Sequence, residues 1–374
     1  MAYIGPRPFP FFVPPGALLP GSVNWSAFDA PTVAAMTANR NRIINAECRI
    51  AQRGGSVVVG ANGNFFGGPD RFQATIGASA GGQYTQYAGN TMTYGGFQRY
   101  TVQQTVNTPI ASMAAGAYWS GIQQTIEGYN VYDFIGQPCT LSFLFQSNVT
   151  GNFSVSMSDA PAANSIVSTF NYPVAGVVQR VVLNWPPVAA NIPNTSAAGL
   201  ILRIAPLNQA QYQTSTLNAW QVGNFLTAAN AVNWGAAANN YIAVADLQLE
   251  LGSIATSFER RSIQLELLTC QRYYNAMGQL FGAGYVQNSL TSAVYIIPIS
   301  PVMRAAPSVT FSGTFTFGAA TAGGQNLPST SMVNASVTPA MLYVQATGLS
   351  GVASGQGTIL SGLGGSVIAL SAEL

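Results

Sequence analysis

The sequence predicts an all-β fold, and three observations carry that prediction. Short runs alternate apolar and polar residues with the two-residue period of a strand that buries one face, as in Leu141-Ser142-Phe143 and Phe153-Ser154-Val155-Ser156-Met157. Gly, Pro and Asn clusters divide these runs at the spacing of a β-sandwich. Helical periodicity is nearly absent. The expected organisation is an extended arm over residues 1–40, a β-sandwich over 41–260, a connecting helix over 261–274 and a smaller β domain over 275–374.

In the arm, Pro6, Pro8, Pro10, Pro14, Pro15, Pro20 and Pro31 oppose regular structure. Its aromatics (Tyr3, Phe9, Phe11, Phe12, Trp25, Phe28) are too many for a free tail and predict docking, a linker being the alternative, with a short helix from Asp29. A first strand is expected in the segment opening at Asn41, followed by strands near 100–106, 117–126, 139–146, 153–157, 177–183, 200–204 and 241–251. In the last of these, Ala245, Leu247, Leu249 and Leu251 are expected on one face and Asp246, Gln248 and Glu250 on the other. Residues 205–240 form a long polar insertion before it, and a loop of that length in a compact domain is usually functional or packed on a partner. Ile263, Leu267, Cys270 and Tyr274 then fall at helical spacing. Further strands are expected near 294–299, 340–345 and 367–370.

Composition excludes several functions. Charged residues make up 6% of the chain, lysine and histidine are absent, and all thirteen cations are arginine. A typical soluble domain is about 25% charged. So little charge gives weak repulsion between copies and predicts a homo-oligomer. The net charge of +2, with scattered arginines, gives no basis for nucleic-acid binding. No apolar run is long enough for membrane insertion, and the N-terminus lacks the charged region and cleavage site of a secretory leader. Cys48, Cys139 and Cys270 are odd in number and widely spaced, as expected of buried thiols made in a reducing cytoplasm. Without histidine there is no Ser-His-Asp or Cys-His site and no histidine-bound zinc. Paired carboxylates remain formally open, but the expectation is that the chain is not an enzyme.

Residues 246–274 concentrate the sequence's most specific pattern. Gln248, Leu249, Glu250, Gly252, Ala255, Thr256, Phe258, Glu259 and Arg261 are followed by Glu266, Leu267, Cys270, Gln271, Arg272, Tyr273 and Tyr274. This resembles a segment of phage tail-fibre and minor virion proteins, in which a jelly roll with the character of a carbohydrate-binding module ends in a "QLE-x-G-x-x-AT-x-FE-x-R" strand and turn before an "EL-x-x-CQRYY" helix. Ile44, Asn45, Ile50, Gln52, Arg53 and Gly54 are similar to the opening strand of such domains, with Cys48 replacing an aromatic residue. Asp70-Arg71-Phe72, residues 217–224 and residues 301–310 resemble further segments. The resemblance implies a jelly roll, a trimer, location in the virion after assembly in the bacterial cytoplasm, contact with other virion proteins through residues 1–40, and display towards a host-surface glycan. A purely architectural decoration protein is the alternative, and a polysaccharide depolymerase a third reading.

Sugar faces stack on aromatic rings while amides bond the hydroxyls. Trp220 and Trp234 are the first candidates for such a platform, then Trp119 and Tyr94, with core or subunit packing as the alternative for each. No cofactor is expected beyond a structural calcium, which the jelly-roll resemblance implies between the first and last strands. Glu47 and Asp246 are its candidate oxygen ligands, the alternative being a solvated acid or an ion pair with Arg49. Glu259, Arg261, Cys270, Arg272 and Tyr273 are expected to form a structural hinge, with Glu259 and Glu266 paired to Arg260, Arg261 and Arg272.

Overall fold

The computed structural model describes residues 39–60, 62–77, 81–113, 116–278, 280–288, 290–319, 323–362 and 365–374. The expected arm, its docking aromatics and its helix lie outside the described residues, except for Asn39 and Arg40. Residues 41–374 form one compact unit. Among the described residues it is all-β, with a single α-helix at Ile263–Gln271. That helix is too short to cross a membrane.

The larger part is a jelly-roll sandwich. Among the described residues one sheet has six strands, in the order Ser56–Val59, Gln83–Tyr87, Val102–Thr108, Tyr241–Leu251, Cys139–Ser147, Gln179–Trp185. The other has nine, with Gln73–Gly77, Ile122–Glu127, Ala198–Ile204, Gly151–Asp159 and Asn164–Tyr172 at its centre. The chain passes from sheet to sheet at most connections, which is the path of a jelly roll. The inward alternates Leu141, Phe143 and Phe145 meet Phe153, Val155, Leu200 and Leu202 in one core. Phe145 sits 4.8 Å from Phe153 and 4.9 Å from Phe170, ring centroid to centroid.

Two expectations are corrected here. Residues 41–54 form turns rather than a strand. Asn45 and Cys48 take positive φ (58° and 56°), and the Asn45 side chain bonds the backbone of Ile50 and Asp70 from a fully buried position. In Tyr241–Leu251 the pairing with Cys139–Ser147 slips at Asp246, whose φ is 47°. This bulge puts two residues against one. Ala245 therefore leaves the face of Leu247 and Leu249 and packs on the opposite side of the sheet with Met92, Leu144 and Ala243. Leu251 is 37% exposed.

Met92 belongs to a hairpin, Thr91–Tyr94 with Phe97–Tyr100, that the sequence reading missed. Its signal is Gly95-Gly96, both at positive φ, as a two-residue hairpin turn requires.

The C-terminal part has its own core, built, among the described residues, from a three-stranded and a seven-stranded sheet. Phe315, Phe317, Leu342, Val344 and Leu360 fill it, together with Ile368 and Leu370 from the last strand.

The expected hinge residues join the two parts as a clasp. The Tyr273 hydroxyl donates to Glu127 at 2.6 Å, and Arg272 Nη2 donates to the same carboxylate at 2.7 Å. Arg71 lies 3.6 Å above the Tyr273 ring and pairs with Glu373, which also takes Arg53 at 2.9 Å. Arg261 donates to the carbonyls of Ile43 and Asn41, and Glu259 accepts from the Asn41 N–H at 2.8 Å. The pairing differs from expectation: Arg261 faces Glu266 at 3.6 Å, but Arg272 goes to Glu127 and Arg260 to Glu47. The helix also departs in part from the expected inward face. Cys270 is buried as expected, but Glu266 is buried beside it, its carboxylate accepting from the Asn45 N–H, while Ile263 is exposed together with Leu265 and Leu268.

Candidate functional site

The sequence-named aromatics separate sharply. Trp119 and Trp234 are fully buried. Their ring centroids lie 5.6 Å apart, and Tyr84 closes the cluster at 4.8 Å from Trp119 and 6.4 Å from Trp234. Each indole N–H is bonded inside, Trp234 to the Ala205 carbonyl at 2.8 Å and Trp119 to that of Gly81 at 3.3 Å. Neither can stack on a sugar. Both are core, as a large ring with an internal partner for its N–H should be. Trp220 is half-buried against the same core, and its indole N–H has no partner. Tyr94 is 38% exposed on the hairpin, opposite Phe97 at 66%.

Glu47 and Asp246 are brought to one place, yet the structure does not suit calcium there. Arg260 reaches Glu47 at 2.9 Å and Asp246 at 3.6 Å, Arg99 reaches Asp246 at 3.2 Å, and Arg49 lies 3.9 Å from Glu47. Three guanidinium groups thus surround two carboxylates, and a divalent cation would meet a net positive site. Among the described residues no cluster of three His, Cys, Asp or Glu could hold a metal. Burial raises the Asp246 carboxyl above its ordinary range, with Arg99 and Arg260 opposing.

The insertion supplies the site instead. Trp234 nails it to the core, and a Cβ on Gly235 would stand 2.9 Å from Leu207 and 3.1 Å from the Trp119 ring, so a larger residue there would push against this packing. Asn233 fixes the neighbouring loop, its Nδ2 donating to the Ile110 carbonyl at 2.9 Å and its Oδ1 accepting from the Gly235 N–H at 3.0 Å. Leu207–Asn208 pairs with Tyr118–Trp119 at the end of the nine-stranded sheet. Between these elements lies a cleft of about 300 Å³, at the lower end of small-ligand sites.

Met113, Pro206, Leu207 and several alanines give the cleft apolar surface; Ser112, Asn208, Gln209, Gln213, Thr227 and Asn233 give it polar groups, and among the described residues no charged one lines it. Most of these polar groups are already engaged. Gln209 donates to the Met113 carbonyl, Thr227 Oγ1 donates to Asn208 Oδ1 at 3.1 Å, and Gln213 Nε2 reaches the Asn208 carbonyl at 3.4 Å. Asn208 Nδ2 is buried without a hydrogen-bond partner. An unmade bond on a buried donor costs about 1–3 kcal/mol. None of the sequence-named residues lines the cleft. Its signal was the length and the Asn/Gln density of residues 205–240, which located the segment but not its side chains.

No family model matches the sequence, and no curated protein matches it. Solved structures similar to the chain include one described as "CBM4 structure and function" (11% identity, TM-score 0.27, covering 56% of this chain and 98% of that one). A family 30 carbohydrate binding module matches at 12% identity and TM-score 0.26, over 60% of this chain and 98% of that one. An exo-beta-agarase matches at 10% identity and TM-score 0.25, over 61% of this chain and 27% of that one.

Proposed function

We propose that the chain is an oligomeric appendage protein of a phage particle, anchored through residues 1–40, whose jelly roll binds a neutral glycan in the cleft beside Asn208. The observation that carries the binding reading is the lining of the cleft, Asn208 included: amides, hydroxyls and apolar side chains, with no charge among the described residues. That chemistry suits a polyhydroxylated ligand, whose C–H faces meet apolar surface and whose hydroxyls meet amides. The virion reading is supported by the resemblance carried by residues 248–274.

Binding rather than hydrolysis is supported by the acids. Each described carboxylate is held by a structural partner: Asp70 by Gln52, Glu127 by Arg272 and Tyr273, Asp133 by Arg42, Asp159 by backbone N–H groups, Glu250 by Thr256 and the rest by the contacts above. None lines the cleft. The burial of Trp119 and Trp234 favours a second reading, an architectural protein that binds no sugar. A glycan array with the purified chain decides between them. Binding lost in Asn208→Ala supports the first reading; no binding to any glycan supports the second.

A further inference from the structure

The outer face of the C-terminal seven-stranded sheet carries large apolar side chains that its core does not use. Phe281 is 78% exposed, Ile296 59%, Ile359 56%, Tyr285 54% and Met341 48%. Strand pairing gathers them. Ala283, between Phe281 and Tyr285 on the same strand face, lies opposite Ile359, and Pro298, two residues from Ile296, lies opposite Met341. The intervening Tyr295, Ile297, Leu342 and Leu360 point into the core, so the exposed set forms one face.

We propose that this face joins a second copy of the chain, sheet against sheet. The inference rests on the oligomeric part of the reading above and names its surface. Residues 275–374 contain two charged side chains, Arg304 and Glu373. Both are engaged at the clasp, Arg304 with the Ala372 and Ser196 carbonyls and Glu373 with Arg53 and Arg71. The face is therefore uncharged and can meet its own copy without like-charge repulsion.

Area points the same way. The five side chains expose roughly 550 Å², taking ordinary side-chain areas, against about 800 Å² per partner in a stable interface. Flanking Ala283, Pro298 and Tyr343 make up much of the difference. Two such faces stack as sheets do in a sandwich, about 10 Å apart.

Sedimentation of the full chain without ligand tests this. The wild type is expected to sediment as an oligomer at micromolar concentration, and Phe281→Glu combined with Ile296→Glu as a monomer with unchanged circular dichroism. Val222→Glu, the same change at an 83% exposed site on the sandwich, should remain oligomeric. If the double variant does not fold, Phe281→Ser alone should weaken association about tenfold or more. A monomeric wild type, or a folded double variant that still associates, overturns the proposal. Because assembly is read without glycan, a failure of the cleft to bind sugar would leave this result standing.

Discussion

Trp234 and Trp119 lie 5.6 Å apart, ring centroid to centroid, with the Trp234 N–H bonded to Ala205 at 2.8 Å. This contact ties the insertion that forms the cleft to the core of the sandwich. Trp234→Ala removes a fully buried ring and is expected to destabilise the chain by about 3–5 kcal/mol. Trp220→Ala, at a half-buried site, should cost clearly less. Denaturant unfolding of both variants measures the difference, and equal losses would contradict this placement.

The clasp makes a second prediction. Tyr273→Phe deletes only the hydroxyl that donates to Glu127, and should cost about 2 kcal/mol, the value of a hydrogen bond to a charged group. Glu127→Ala also strands Arg272 and should cost more. Neither change touches the cleft, so glycan affinity measured below the unfolding transition should stay at the wild-type value.

Acid should not weaken this fold in the usual way. Burial raises the carboxyl groups of Asp70, Asp246 and Glu266 above their ordinary 3.8, 3.8 and 4.5. A folded pKa above the unfolded one means that the native state binds more protons, so these groups stabilise the fold as pH falls from the raised values towards about 4. No histidine titrates against them. The melting temperature should hold or rise between pH 7 and pH 5, and Glu266→Gln should flatten any rise. A steady fall over that range in the wild type would contradict the assignment.

Calcium should leave the protein unchanged. Arg260 already bridges Glu47 and Asp246, so melting curves with calcium and with a chelator should coincide. Arg260→Ala, which removes that bridge, is the variant in which a calcium response would first emerge.

Much of the fold was legible because it rests on local period. The alternation in Cys139–Ser147 and Gly151–Asp159 marks which side chains enter the sandwich core, although the polar alternates Ser142, Ser154, Ser156 and Ser158 are buried as well, and the clasp residues were marked by charge in a chain with little of it. What was not legible depends on contacts between distant segments. The bulge at Asp246 shifts Ala245 to the other face, and nothing in local alternation announces it. Trp119 and Trp234 look the same in sequence whether they face a ligand or each other; only the meeting of the Tyr118–Trp119 strand with the distant 3-10 turn Trp234–Ala236 decides. The cleft residues Asn208 and Gln213 are ordinary polar positions until Met113 and Tyr118 are folded beside them.

The most direct test is titration of the purified chain with a glycan selected on an array, followed by calorimetry, for wild type and Asn208→Ala. Saturable binding that weakens about tenfold in the variant, the loss of roughly one hydrogen bond, is the predicted result. Binding of equal strength in both proteins, or binding abolished instead by Tyr94→Ala on the distant hairpin, would contradict the cleft as the site.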